Sequence, residues 1–266
     1  MKGSKFTPIL SFVLILIFVS LACSSTAPEP TSTPVSTDTP TLTPTNTSTP
    51  TNTPRPSPTL RPTKTPNLAA TQTYEAFDAE TKSYFDADYL STDNGRISRI
   101  DDFAYDWAQL GWYNWLPLGK KVDDFYMSAH FKWSSAYLHA DTSGCGFMFA
   151  IQDNGDHYAV FLDWTRVLFL NADQATSYSR PVGLTRGTGK VKFENPAIQP
   201  AEADFTLIVS GLHSYVLVDN QLVGEYTLAQ SKTLKGDLGL TILSGTNKDY
   251  GTRCEMTNIR VWTPSN

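Results

Sequence analysis

Few residues in this 266-residue chain have the type and spacing that chemistry demands. Four histidines, His130, His139, His157 and His213, share no metal-ligand spacing, and no Cys/His cluster, nucleophile elbow or phosphate loop accompanies them. A lone histidine on the outer face of a strand reads as solvated. Asp153 and Asp156 flank Asn154-Gly155, and two acidic side chains in a loop can offer calcium its oxygen ligands. Asn-Gly also tolerates the positive φ of a hairpin turn, so a turn alone accounts for these four residues. The pairs Asp101-Asp102 and Asp123-Asp124 read as solvated entries to strands.

The aromatic residues offer a different chemistry. "DWAQLGWYNWLPLG" holds Trp107, Trp112, Tyr113 and Trp115. Exposed indoles stack on the apolar faces of sugar rings, and each brings an N–H donor. On a strand, the period of two sends Trp112 to one face and both Tyr113 and Trp115 to the other, so they cannot all enter a single core. "SGTNKDYGTRC" is the second recognition candidate. It is a glycine-bounded loop carrying Asn247, Lys248, Asp249, Tyr250 and Arg253 ahead of a cysteine. Core packing and an ordinary solvated turn are the plainer readings of the two segments. The candidate ligand-binding set is Trp112, Tyr113, Trp115, Asn247, Asp249, Tyr250 and Arg253; no residue stands out as catalytic.

Strands must hold these residues. "FYMSAHFKW" places Phe125, Met127, Ala129, Phe131 and Trp133 on one face, with Tyr126, Ser128, His130 and Lys132 on the other. "CGFMFAIQ", "HYAVFLDWTRVLFLN", "FTLIVSG", "SYVLVDNQLVGEYT", "GLTILSG" and "CEMTNIRVW" follow at short spacing with turn residues between them. So many short alternating strands indicate an all-β, two-sheet antiparallel sandwich over residues 93–264. Upstream, residues 67–92 lose proline, and Leu68, Ala70, Tyr74, Phe77 and Phe85 recur near helical spacing, which predicts a short helix. Residues 24–66 are mostly Thr, Pro and Ser, with nothing to bury, and read as a disordered linker. Stretched as polyproline II at ~3.1 Å per residue, that linker reaches on the order of 100 Å. Its hydroxyls are open to O-linked sugars.

Charge narrows the partners. Five of the 21 basic and two of the 26 acidic groups lie in the first 66 residues, so the remainder carries a net charge of about −8. An acidic body with scattered Lys and Arg lacks the footprint for phosphate backbones, which argues against nucleic acid.

The first 23 residues begin with two lysines and continue as an apolar run from Ile9 to Ala22. The run suits a signal-peptide core and falls short of the ~20 residues of a spanning helix. Its end, "VSLAC", resembles a bacterial lipoprotein cleavage box, with Ala22 directly before Cys23 and Ser20 where the family prefers Leu. The resemblance implies lipid at Cys23 and display from the outer face of a bacterial membrane. An ordinary cleaved signal and an uncleaved anchor are the alternatives. With Cys23 lipidated, Cys145 and Cys254 are left as a pair, joined as a disulfide in an exported protein or kept as two buried thiols.

"FTLIVSGLHSYVLVDNQLVGEYTL", "GDLGLTILSG" and "MTNIRVW" together resemble the closing half of concanavalin A-like (laminin G-like) jelly rolls. The likeness covers roughly residues 93–262. That family commonly has Asn-Gly at the hairpin corner where Asn220-Gln221 stands here. The strand pattern is also similar to 3-keto-disaccharide hydrolase-like jelly rolls. Glucanases of the superfamily carry a Glu-x-Asp-x-x-Glu strand, because cleaving a glycosidic bond takes two carboxyl groups. Here Glu202-Ala203-Asp204 begins the pattern, but Leu207 replaces the closing Glu. Exposed aromatics and polar loop side chains on such a sandwich lead to the expectation of a tethered, non-catalytic binding module for an extracellular polysaccharide or glycan, without a cofactor unless calcium serves. A structural or adhesion-type domain for a surface protein is the alternative, and a sugar-active hydrolase comes third.

Overall fold

The computed structural model describes residues 68–265 apart from Asp141 and residues 174–177. The expected leader (1–23), its Cys23 and the Thr/Pro/Ser segment (24–66) lie outside the described residues. A helix, α1 (Leu68–Asp86), precedes the strands. These are β1 (Gly95–Arg99), β2 (Phe103–Trp107), β3 (Trp112–Val122), β4 (Phe125–Ser135), β5 (Ser143–Ile151), β6 (His157–Leu162) and β7 (Val167–Asp173). Then come β8 (Tyr178–Pro181), β9 (Leu184–Gly187), β10 (Ala201–Ser210), β11 (His213–Val218), β12 (Gln221–Thr227), β13 (Gly236–Ser244) and β14 (Thr252–Pro264).

They form two antiparallel sheets, as the alternation predicts. The eight-stranded sheet runs β1-β14-β4-β10-β11-β12-β9, with β2 also paired to β14. The six-stranded sheet runs β3-β13-β5-β6-β7-β8. The chain passes between the sheets at β2–β3, β3–β4, β4–β5, β8–β9, β12–β13 and β13–β14, and the sandwich is a jelly roll. Inner-face residues of both sheets, among them Phe131, Phe147 and Phe205, make the core. Phe131 stacks on Phe205 at 4.9 Å and meets Phe147 edge-on at 5.0 Å.

The β11–β12 hairpin turns at Asp219-Asn220, one residue before the corner that the sequence comparison singles out. Both residues sit at positive φ, 50° and 62°, the handedness that two-residue hairpins require. At Asp153-Asn154-Gly155-Asp156 the expected tight turn forms, with Gly155 at φ 88°.

The Cys145–Cys254 disulfide is present. Its cysteines lie on strands of different sheets, facing each other across the core rather than side by side in one ladder. Closing a loop across a separation of 109 residues stabilises the fold by about 4–5 kcal/mol in the chain-entropy picture.

The outer face of the eight-stranded sheet is not left to water. Tyr126, Ile208, Tyr215, Leu217 and Trp262 form a second apolar cluster there, capped by Tyr84 and Leu90. α1 lies on it through Phe77, Glu80, Thr81 and Tyr84, one helical stripe at i, i+3, i+4 and i+7. Thr81 Oγ1 and Tyr126 Oη share a hydrogen bond of 3.0 Å, and Tyr84 meets Tyr126 edge-on at 5.3 Å. Arg260 grips Glu80 with both terminal nitrogens, at 2.7 and 3.4 Å. The helix ends in a Schellman arrangement: Asp88, at φ 60°, follows the last turn, and Tyr89 N–H donates to the Tyr84 carbonyl at 2.9 Å. Of the stripe members whose side chains are described, Tyr74 and Phe85 are exposed and Phe77 packs.

Candidate functional site

β3 divides the candidate aromatics between two surfaces, as its period of two predicts. Trp112 stands cross-strand from Ser244 with 62% of its surface in water. Tyr113 and Trp115 project from the outer face of the six-stranded sheet, and Trp115 is 40% exposed.

Trp115 belongs to a packed aromatic group. Its ring lies 6.0 Å from Tyr113 and 5.6 Å from His157. Tyr113 in turn rests on Phe161 at 5.3 Å. The floor is the apolar cluster of Met148, Ala159, Phe161 and Leu243. Asn114 Oδ1 accepts the Trp115 backbone N–H at 2.9 Å, fixing the strand beneath the indole.

His157 locks the group, and its burial corrects the expectation that a lone strand histidine is solvated. Only 1% of it is exposed. Nδ1 lies 2.7 Å from the Gly155 carbonyl, which can only accept, so Nδ1 carries the proton. Nε2 of the neutral ring then accepts from Tyr113 Oη at 2.7 Å. Burial holds the imidazole below its ordinary pKa, against the opposing pull of the Gly155 carbonyl. Burial likewise raises the Tyr113 phenol. Both groups therefore stay neutral near pH 7. Nothing near His157 in sequence announced this: its partner Tyr113 is 44 residues away, on a strand separated from β6 by β13 and β5.

The polar loop lies beside Trp112, not beside Trp115. Gly111 N–H donates to the Ser244 carbonyl at 2.8 Å, and residues 245–251 follow directly. Gly251, at φ 69°, packs so closely that a Cβ would strike the Trp107 carbonyl oxygen, which seats the loop against β2. Asn247 and Asp249 are exposed. Tyr250 and Arg253 are engaged within the protein instead. The Arg253 guanidinium clamps Asp106 through two bonds of 2.9 Å and lies 4.7 Å from the Tyr250 ring. Lys248 sits 3.8 Å over the Tyr137 ring.

The acidic candidates do not converge. Asp153 faces the Lys121 amine at 3.3 Å, and Asp156 accepts from Asn154 Nδ2 at 3.1 Å. No cluster of three or more metal-capable side chains occurs among the described residues. Glu202 and Asp204 share the outer face of β10, where Lys132 holds Glu202 at 2.8 Å and His130 holds Asp204 at 2.9 Å. Leu207, in place of the third acid, is buried in the core.

No protein-family model and no curated protein matches the chain. Solved structures with similar sandwiches include the carbohydrate binding module CBM66 from Bacillus subtilis, 11% identical at a TM-score of 0.43, covering 62% of this chain and 94% of that one. The β-fructofuranosidase of Aspergillus kawachii, complexed with glycerol, is 13% identical at 0.44 over 66% of this chain. The match spans 28% of that enzyme's length. Sheep galectin-11, also complexed with glycerol, is 10% identical at 0.35, covering 57% of this chain and 98% of the galectin. At these values the likeness concerns the arrangement of strands and says nothing of a ligand.

Proposed function

We propose that this chain is an extracytoplasmic glycan-binding domain, tethered by lipid at Cys23 through the Thr/Pro/Ser segment, with Trp115 as its stacking surface. The observation that carries the reading is a part-exposed indole held in place by neighbours whose own hydrogen bonds are satisfied. An indole in water is apolar surface awaiting cover, and a pre-set ring loses little rotamer freedom when a sugar face arrives. Tyr113 extends the surface but cannot turn away, because His157 holds its hydroxyl.

A second reading has its own observation. Tyr105, Leu110, Trp112 and Leu116 are all exposed where β2 and β3 run along one flank of the sandwich. Apolar groups gathered on an edge suit a protein partner better than a sugar.

A glycan array of the full-length chain, with and without calcium, separates the two. Sugar binding that falls at least tenfold in Trp115→Ala, and stays within twofold in Trp112→Ala, is the expected result. Absence of any glycan signal sinks the reading, and retention of a protein ligand that Trp112→Ala abolishes moves the function to the flank.

A further inference from the structure

We infer that the groove between α1 and the outer face of the eight-stranded sheet is a second site, on the opposite face from Trp115, that takes a carboxylate-bearing sugar unit. The groove has a volume of about 1370 Å³, room for more than one sugar ring. Its floor consists of two rows of cross-strand neighbours. In the first, Arg99 lies opposite Arg260, Arg260 opposite Ser128, and Ser128 opposite Thr206. In the second, Thr257 lies opposite His130 and His130 opposite Asp204.

The first row is built to receive an anionic oxygen. Phe77 of α1 stands over it, with the Arg260 guanidinium 4.9 Å and that of Arg99 5.6 Å from its ring centre. Glu80 neutralises Arg260 alone; Arg99 forms no ion pair among the described residues. Two buried polar atoms lie on this row without a hydrogen-bond partner among the described residues, Arg260 Nε and Ser128 Oγ. Ser128 is only 2% exposed, so an N–H and a hydroxyl await an acceptor in a place largely closed to solvent. A carboxylate reaching this row offers these donors an acceptor and balances Arg99.

The second row wants donors. Asp204, paired with His130, and Asp102, which accepts the Asn258 N–H at 3.3 Å, both retain acceptor capacity at the groove. The rows are two residues apart along β4, about 6.8 Å. That spacing is comparable to the width of a pyranose ring, from a carboxylate on one side to hydroxyls on the other. An apolar carboxylate such as a fatty acid fits less well, because its tail would strip water from Asp204 and His130 without replacing their hydrogen bonds. The bulge at Asn258, held at φ 54°, offsets β14 here and turns the Arg260 side of the strand toward the helix.

Titration calorimetry on the full-length chain tests the site, with a trimer of galacturonic acid and its fully methyl-esterified, uncharged counterpart as probes. The acid is expected to bind, the ester at least tenfold more weakly. Arg99→Gln, an exposed change whose folding is checked by its melting curve, is expected to weaken the acid at least tenfold, and Asp204→Asn to weaken both probes. Trp115→Ala should leave the acid within twofold. No binding at millimolar acid, equal binding of acid and ester, or an Arg99→Gln variant that binds normally overturns the inference. Loss in Trp115→Ala with none in Arg99→Gln also overturns it, while leaving the Trp115 platform standing.

Discussion

Asp163 is wholly buried in the turn between β6 and β7. Its Oδ1 accepts the Thr165 N–H at 3.1 Å, while Oδ2 has no partner among the described residues. Burial pushes this carboxyl up to about 6, against the pull of nearby N–H groups and Arg166. A raised folded-state value means that the native chain holds a proton the unfolded chain has released. Stability from this group is present below pH ~4 and is lost as pH rises to about 6. Asp163→Asn should therefore match the parent near pH 4 and exceed it by about 2–3 kcal/mol at pH 7, read from urea unfolding at both values. His157 has the opposite sign. Its lowered value makes its contribution full above pH ~6.5 and progressively lost on acidification, when a protonated Nε2 can no longer accept from Tyr113. The split of Trp112 from Tyr113 and Trp115 was legible from period two alone. The role of His157 was not, because folding brings it to Tyr113 across two intervening strands, β13 and β5.

At the scale of elements, the alternation of β4, β5 and β10 was readable because one face of each must enter the core. What period two cannot say is whether the opposite face meets water or a helix. Tyr126 reads as the polar side of β4, yet it is buried, since Thr81 and Tyr84 of α1 cover it. The same blindness affects α1. Its aromatic spacing announces a helix, but the sheet selects which stripe is buried, and it takes Thr81 and Tyr84 over Tyr74 and Phe85. Tyr84 is the anchor, only 4% exposed, with its hydroxyl on Glu80 Oε1 at 3.1 Å. Tyr84→Ala should cost about 3–5 kcal/mol. It should also lower helical signal in circular dichroism more than a single exposed substitution such as Phe85→Ala does. Equal effects from the two variants would mean that α1 is not seated through Tyr84.

Across the whole molecule, the two sheets are joined by side-chain packing, by the backbone where it passes from one to the other, and by one disulfide, and the disulfide shapes how the domain bears load. Chain entering at α1 passes to β1, which pairs with the C-terminal end of β14, Gly95 opposite Pro264. Cys254 lies toward the other end of β14 and is bonded to β5, in the sheet that carries Trp115. Suppose a ligand holds that sheet while the chain is pulled from its N-terminal side. The force then runs from β1 to β14 and through the disulfide. β1 is drawn from one end and β14 is held from the other, so the ladder between them is sheared and its hydrogen bonds resist together instead of opening one by one. Without the sulfur link the same tension would reach the other sheet through residues 245–251, the longer and more compliant connection from β14 to β13. Single-molecule pulling should accordingly find a higher rupture force in the oxidised domain than after reduction, when the loop alone carries the load. Equal forces would mean that β1 gives way before the bridge is ever loaded.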